Sequence, residues 1–106
     1  MPKQRRKTTR TELWFDAEAI VQSNDHGVIT GKVENLGSKG MFLETPERIP
    51  RNVEVEIKIT FKSESPSELS DIKGLVVRHE DKGIGIQFTE IDLKLFRERM
   101  TTMMED

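Results

Sequence analysis

The chain reads VEVEIKITFK from residue 53 to residue 62, an unbroken alternation of apolar and polar side chains. Successive side chains of a β-strand point to opposite faces, so this pattern predicts a strand with one buried and one exposed face. Half-buried strands of this kind are typical of antiparallel sheets. The stretch therefore indicates a β-rich fold in which each strand contributes alternate residues to the core.

Similar patterns predict strands on both sides of this stretch. Residues 13–22, 29–34 and 84–88 also alternate between apolar and polar side chains. The short apolar segments 40–44 and 72–79 predict two further strands.

The connections between these segments decide how the strands pair. Most are short and rich in turn residues, and the longest is expected to be a polar loop over Ser63–Ser70. Parallel neighbours would need crossover helices, for which such connections are too short. The sequence therefore predicts an all-β fold in which six antiparallel strands close into a small barrel.

The periodicity changes after the last strand, where apolar residues recur three to four positions apart. This spacing predicts one C-terminal α-helix over about residues 89–104. Thr89 is the expected N-cap, with Glu90 and Asp92 near the positive end of the helix dipole. We expect the helix to plug or flank the barrel with Ile91, Leu95, Phe96 and Met100.

Length and composition limit the classes of protein that fit. A chain of 106 residues without cysteine is expected to form one domain, residues 13–106, with neither disulfides nor thiolate chemistry. No apolar run approaches the ~18 residues that cross a bilayer, and the N-terminus lacks the apolar segment of a signal peptide. We expect a soluble, cytoplasmic protein without membrane insertion.

Charge is distributed unevenly along the chain. Residues 1–10 hold five of its 17 cations and no acid, which leaves 12 cations against 19 acids in the rest. Residues 1–12 are therefore predicted to be a flexible basic arm on an acidic body. Such an arm could approach an anionic ligand, fold back on the body or only keep the terminus soluble.

Two short motifs favour the first of these roles. Arg6 and Arg10 are spaced so that two guanidinium groups could close on one small anionic, planar ligand. Arginine pairs with the O6 and N7 edge of guanine and neutralises phosphate, although spacing does not tell which arginine makes which contact. The second motif is a turn in which Asn35 offers an amide to a base. Gly37 and Gly40 are expected to allow positive backbone torsions and the close approach of a flat base to the backbone.

In this combination the motifs resemble those of the PilZ domain family. The resemblance covers nearly the whole chain: Arg6-x-x-x-Arg10, then Asn35-x-x-x-x-Gly40 followed by Met41-Phe42-Leu43, then Gly83-Ile84-Gly85-Ile86-Gln87-Phe88 and the terminal helix. PilZ domains are small six-stranded barrels that bind the bacterial second messenger cyclic di-GMP, so the resemblance implies that fold and that ligand. The ligand-binding residues it implies are Arg5, Arg6, Arg10, Asn35, Gly37, Ser38 and Gly40.

One position departs from the family pattern. The second motif of the family reads Asp or Asn, any residue, Ser, two residues and Gly, whereas Gly37 stands here at the serine position and Ser38 follows it. Adjacent residues at a strand end point in different directions, so we expect weaker ligand binding rather than an equivalent contact from Ser38. A degenerate domain that acts only as a protein adaptor is therefore the alternative function.

Other classes of function find little support in the sequence. No nucleophile has a credible base and orienting partner, so catalysis is not expected. His26 and His79 lack further ligands at metal-binding spacing, so neither a metal nor a cofactor is expected. The acidic body argues against a nucleic-acid partner. The resemblance implies a receptor that orders its arm over the barrel and signals in trans to an unknown protein effector in motility, adhesion or secretion. We expect a monomer or weak homodimer.

Overall fold

The computed structural model describes residues 16–62 and 67–104, with side chains as far as residue 101. The elements are β1 Asp16–Ser23, β2 Gly27–Glu34, β3 Gly40–Glu44, β4 Glu54–Lys62, β5 Ser67–Glu80, β6 Gly83–Glu90 and α1 Leu93–Met104. All neighbouring strands are antiparallel, and they close into a barrel in the order β1-β2-β3-β6-β5-β4. The predicted all-β barrel with one C-terminal helix is confirmed.

Alternating strand residues form the core of the barrel, as the sequence pattern predicts. β1 and β4 bury every second side chain and turn the residues between them outward. The residues these two strands bury in the core are Ala17, Ala19, Val21, Val55, Ile57, Ile59 and Phe61. Two residues from connections, Leu36 and Ile49, pack into the same core. Burial of these side chains is the main favourable contribution to folding.

Strand β5 begins earlier than the sequence indicates. The polar loop expected over Ser63–Ser70 is shorter, because β5 starts at Ser67. Leu69 is only 1% exposed and pairs with Ile59, so burial of one apolar side chain extends the strand through a polar sequence. Asp71, with a φ of 62°, bends the extension beside a register shift in the pairing with β4.

The prediction of Thr89 as the helix N-cap is wrong. Thr89 belongs to β6, which continues its pairing with β5 as far as Glu90. The helix begins at Leu93, and the Oδ1 atom of Asp92 accepts a hydrogen bond from the Leu95 amide at 3.0 Å. Asp92 is therefore the cap, because its carboxylate satisfies an amide that has no partner within the helix.

Helix α1 flanks the barrel beside β5. Phe96 and Met100 are buried in the core, and Leu95 is partly buried against it. The Arg99 Nε atom donates a hydrogen bond to the Glu68 carbonyl at 3.1 Å, which holds the helix near the start of β5. The described part of the chain contains no helix with the length and apolar character needed to cross a membrane.

The register between β1 and β2 determines where the chain enters the barrel. Glu18 lies opposite Lys32, so Asp16, the first residue of β1, lies beside the last residues of β2. The residue that follows β2 is Asn35. Asp16 therefore lies at the rim of the barrel that carries the second sequence motif.

Candidate nucleotide-binding site

The turn between β2 and β3 is anchored to the core by one side chain. Leu36 is 1% exposed and packs inside the barrel. The Gly37 amide donates a hydrogen bond to the Gly40 carbonyl at 2.9 Å, which closes the turn. Asn35 and Ser38 are left exposed on either side of this anchor, where a ligand can reach them.

The expectation that Gly37 and Gly40 supply positive backbone torsions is wrong. The residue with positive φ in this turn is Asn35, at 55°, a region that asparagine tolerates better than most residues. Gly40 is needed for close packing instead, because a Cβ atom there would collide with the carbonyl oxygen of Ile86 on β6. A Cβ atom on Gly37 would meet nothing within 4 Å, so the fold accepts a side chain at that position.

Asn35 also borders a groove of about 560 Å³ on the outer wall of the barrel. The strand register places a row of residues across this wall: Glu34 lies opposite Phe42, Phe42 opposite Gly85, and Gly85 opposite Arg78. The β5–β6 turn closes one end of the groove with Glu80, Asp81 and Lys82. The groove thus extends from the second motif to a turn far along the chain.

Arg78 is held in the groove by three neighbours. Its guanidinium carbon lies 5.9 Å from the centre of the Phe42 ring, within cation–π distance. Its Nε atom lies 2.6 Å from Oε2 of Glu80, in an ion pair whose side chains are both about half exposed. A Cβ atom on Gly85 would come within 2.9 Å of the Arg78 Cγ atom, so the glycine leaves room for the arginine stem. Together these contacts hold a planar cation over an aromatic ring.

Reasoning from the sequence missed Arg78 and Phe42 as candidate site residues. Phe42 stands in the apolar run Met41-Phe42-Leu43, and all three side chains are buried, although Phe42 is absent from the core inside the barrel. Arg78 is distant from Asn35 in the sequence, and only the strand order brings the two together. The one available signal was the glycine at position 85, which predicts the close approach of a neighbouring group.

The three arm arginines, Arg5, Arg6 and Arg10, lie outside the described residues, so their assigned contacts stay predictions. The same holds for a ligand contact from Ser38. Within residues 16–62 and 67–104, no three histidine, aspartate or glutamate side chains are arranged to hold a metal ion.

Comparison with known families identifies the domain. The family model of the PilZ domain matches residues 4–105 of the sequence, an interval that includes the arm arginines, the Asn35 turn and the terminal helix. The chain therefore belongs to the PilZ domain family, whose members are receptors and adaptors for cyclic di-GMP rather than enzymes. A comparison with curated proteins gave no match.

The two glycines of the turn should respond differently to a methyl group. We expect Gly40→Ala to lower the free energy of unfolding by about 2 kcal/mol, because the Cβ atom would displace β3 from the Ile86 carbonyl. Gly37→Ala, the matched control, should change it by no more than about 0.5 kcal/mol. Urea denaturation followed by circular dichroism measures both. Equal effects of the two substitutions would contradict the packing role of Gly40.

Proposed function

We propose that this PilZ domain is a cyclic di-GMP receptor and adaptor. In the proposal its N-terminal arginines close over the nucleotide at the Asn35 rim and so create a surface that a partner protein recognises. The observation that carries the proposal is the register of β1 with β2, because it puts Asp16, four residues after the predicted arm, beside the end of β2 and so near the Asn35 turn and the Arg78 groove.

The arm is long enough for this role. An extended chain spans at most about 3.3–3.6 Å per residue, so Arg10, six residues before Asp16, can reach about 20 Å from the rim. Arg6 can reach about 35 Å by the same estimate. Chain length therefore allows both guanidinium groups to reach a ligand near the Asn35 turn.

Charge explains why the arm is needed. Among the groove residues three acids, Glu34, Glu80 and Asp81, stand against two cations, Arg78 and Lys82. Cyclic di-GMP carries two phosphates, so this groove alone would repel it more than attract it. The five cations of residues 1–10 supply the missing positive charge. Ligand binding and arm closure are thus coupled by electrostatics.

The groups of the groove suit the remaining parts of the nucleotide. The exposed Asn35 amide can donate to and accept from a guanine edge. Arg78, which lies over the Phe42 ring, offers a planar cation on which a purine can stack or to which a phosphate can bind. The arm arginines then provide bidentate contacts to guanine or phosphate.

The signal in this proposal is a change of surface. Ordering a segment on binding costs about 2–5 kcal/mol, which the ligand contacts must exceed. The ordered arm and the bound nucleotide would form a surface that is absent from the free protein, and an effector protein would bind there. The proposal includes a bacterial, cytoplasmic setting and an effector in motility, adhesion or secretion, which membership of the family suggests.

A second function is favoured by one observation, the glycine at the serine position of the motif. Without that hydroxyl the turn offers one polar group fewer, and a domain that has lost nucleotide binding could still act as a protein adaptor. The two functions differ in whether cyclic di-GMP binds at all.

Titration calorimetry with cyclic di-GMP distinguishes these functions. We expect saturable binding to the wild-type protein and an affinity lowered about tenfold or more by Arg6→Ala or Arg10→Ala, because each removes a bidentate contact. Lys7→Ala is the matched control, since it removes one arm charge without a fork, and it should have a much smaller effect. Absence of heat at high micromolar ligand would favour the adaptor. Tight, salt-sensitive binding of oligonucleotides instead would indicate a nucleic-acid partner.

Restoring the family serine should strengthen binding. The open space at Gly37 accepts the side chain, and one neutral hydrogen bond contributes about 1 kcal/mol, so we expect Gly37→Ser to raise the affinity for cyclic di-GMP about fivefold. Gly37→Ala adds the Cβ atom without the hydroxyl and should leave the affinity near that of the wild type. An unchanged or weaker affinity in Gly37→Ser would mean that the missing hydroxyl does not limit binding.

A further inference from the structure

Arg48 connects two parts of the chain that are far apart in sequence. Its Nη1 atom donates hydrogen bonds to the carbonyls of Thr45 and Glu47 at 3.0 and 3.1 Å. Its Nη2 atom donates to the carbonyls of Glu80 and Asp81 at 2.6 and 3.1 Å. One guanidinium group thereby joins the connection after β3 to the turn between β5 and β6.

Two further contacts join the same segments. The Thr45 amide donates a hydrogen bond to the Lys82 carbonyl at 3.0 Å. The Nε2 atom of His79 lies 2.7 Å from the Ile49 carbonyl oxygen. Thr45 and Ile49 are both buried, so this side of the junction is fixed to the barrel core. Arg48 therefore holds the exposed turn against a rigid support.

The turn that Arg48 holds is one end of the groove beside Asn35. The carbonyls of Glu80 and Asp81 accept hydrogen bonds from Arg48, and both residues line the groove. The Glu80 carboxylate in turn pairs with Nε of Arg78, the cation that lies over Phe42. The contacts thus run without a break from Arg48 through Glu80 to Arg78.

We infer that Arg48 is a positioning residue for nucleotide binding. It does not line the groove itself, but it holds the Glu80–Lys82 turn in the geometry that binds ligand. Through the Glu80 carboxylate it also holds the Arg78 side chain in place. This inference rests on the proposed function. A turn that is already ordered before binding spares the ligand the entropic cost of ordering it. Arginine is suited to the task because its planar fork carries five N–H donors, whereas a lysine ammonium group cannot span four carbonyls on two segments.

Arg51 provides a matched control for this role. It lies in the same connection, is exposed, and makes no hydrogen bond or ion pair with the residues that the structure describes. Arg51→Met and Arg48→Met therefore make the same change of net charge and side chain, and only the second removes the contacts to the turn.

The experiment compares Arg48→Met, Arg48→Lys and Arg51→Met with the wild type, at a temperature at which circular dichroism shows all four folded. Titration calorimetry gives the affinity for cyclic di-GMP, and amide hydrogen exchange without nucleotide gives the protection of residues 80–83. We expect Arg48→Met to weaken binding about five- to tenfold, the cost of ordering the turn, and to speed exchange in it. Arg48→Lys should show both effects in part, and Arg51→Met neither.

Two results would overturn the inference while leaving the proposed function intact. The first is that Arg48→Met binds cyclic di-GMP as tightly as Arg51→Met does. The second is that Arg48→Met speeds exchange in the turn but binds as tightly as the wild type, which would make Arg48 purely structural. If Arg48→Met does not fold, Arg48→Lys carries the comparison. Absence of binding by the wild-type protein would instead refute the proposed function, and the role of Arg48 in it would fall as well.

Discussion

Closure of the barrel with β6 between β3 and β5 is the constraint on which the candidate site depends. It aligns Glu34, Phe42, Gly85 and Arg78 across four neighbouring strands, although they are scattered through the sequence. The same closure brings the β5–β6 turn within reach of Arg48. The arginine over the aromatic ring, the acids around it and the Asn35 turn therefore share one wall because of strand order alone.

Most of the fold could be predicted from the sequence because period-two alternation is a direct consequence of a half-buried strand. The prediction failed where local sequence and tertiary pairing disagree. The start of β5 is polar apart from Leu69, and pairing with β4 extends it. Thr89 has the chemistry of an N-cap, but the ladder of β6 continues past it, and Asp92 takes the role.

About half of the candidate site could be predicted in the same way. The Asn35 turn was recognisable from its residue types, although its glycines serve a different purpose from the one expected: the positive torsion belongs to Asn35, and Gly40 provides clearance from β6. Arg78 and Arg48 could not be found from sequence, because their significance lies in contacts across strands that no local pattern encodes. A lone arginine in a strand or loop is otherwise an ordinary surface residue.

The central claim is that the arginine arm closes over the groove beside Asn35 when nucleotide binds. Because the chain contains no cysteine, the substitution Thr8→Cys provides a single site for a nitroxide spin label, between Arg6 and Arg10. Paramagnetic broadening of amide signals then reports where the arm lies. The account predicts that cyclic di-GMP adds strong broadening at Phe42 and Arg78 and much less at the β1–β2 turn, which lies at the opposite end of β1 from Asp16. Broadening that is unaffected by the nucleotide, or that increases equally at the β1–β2 turn, would contradict it.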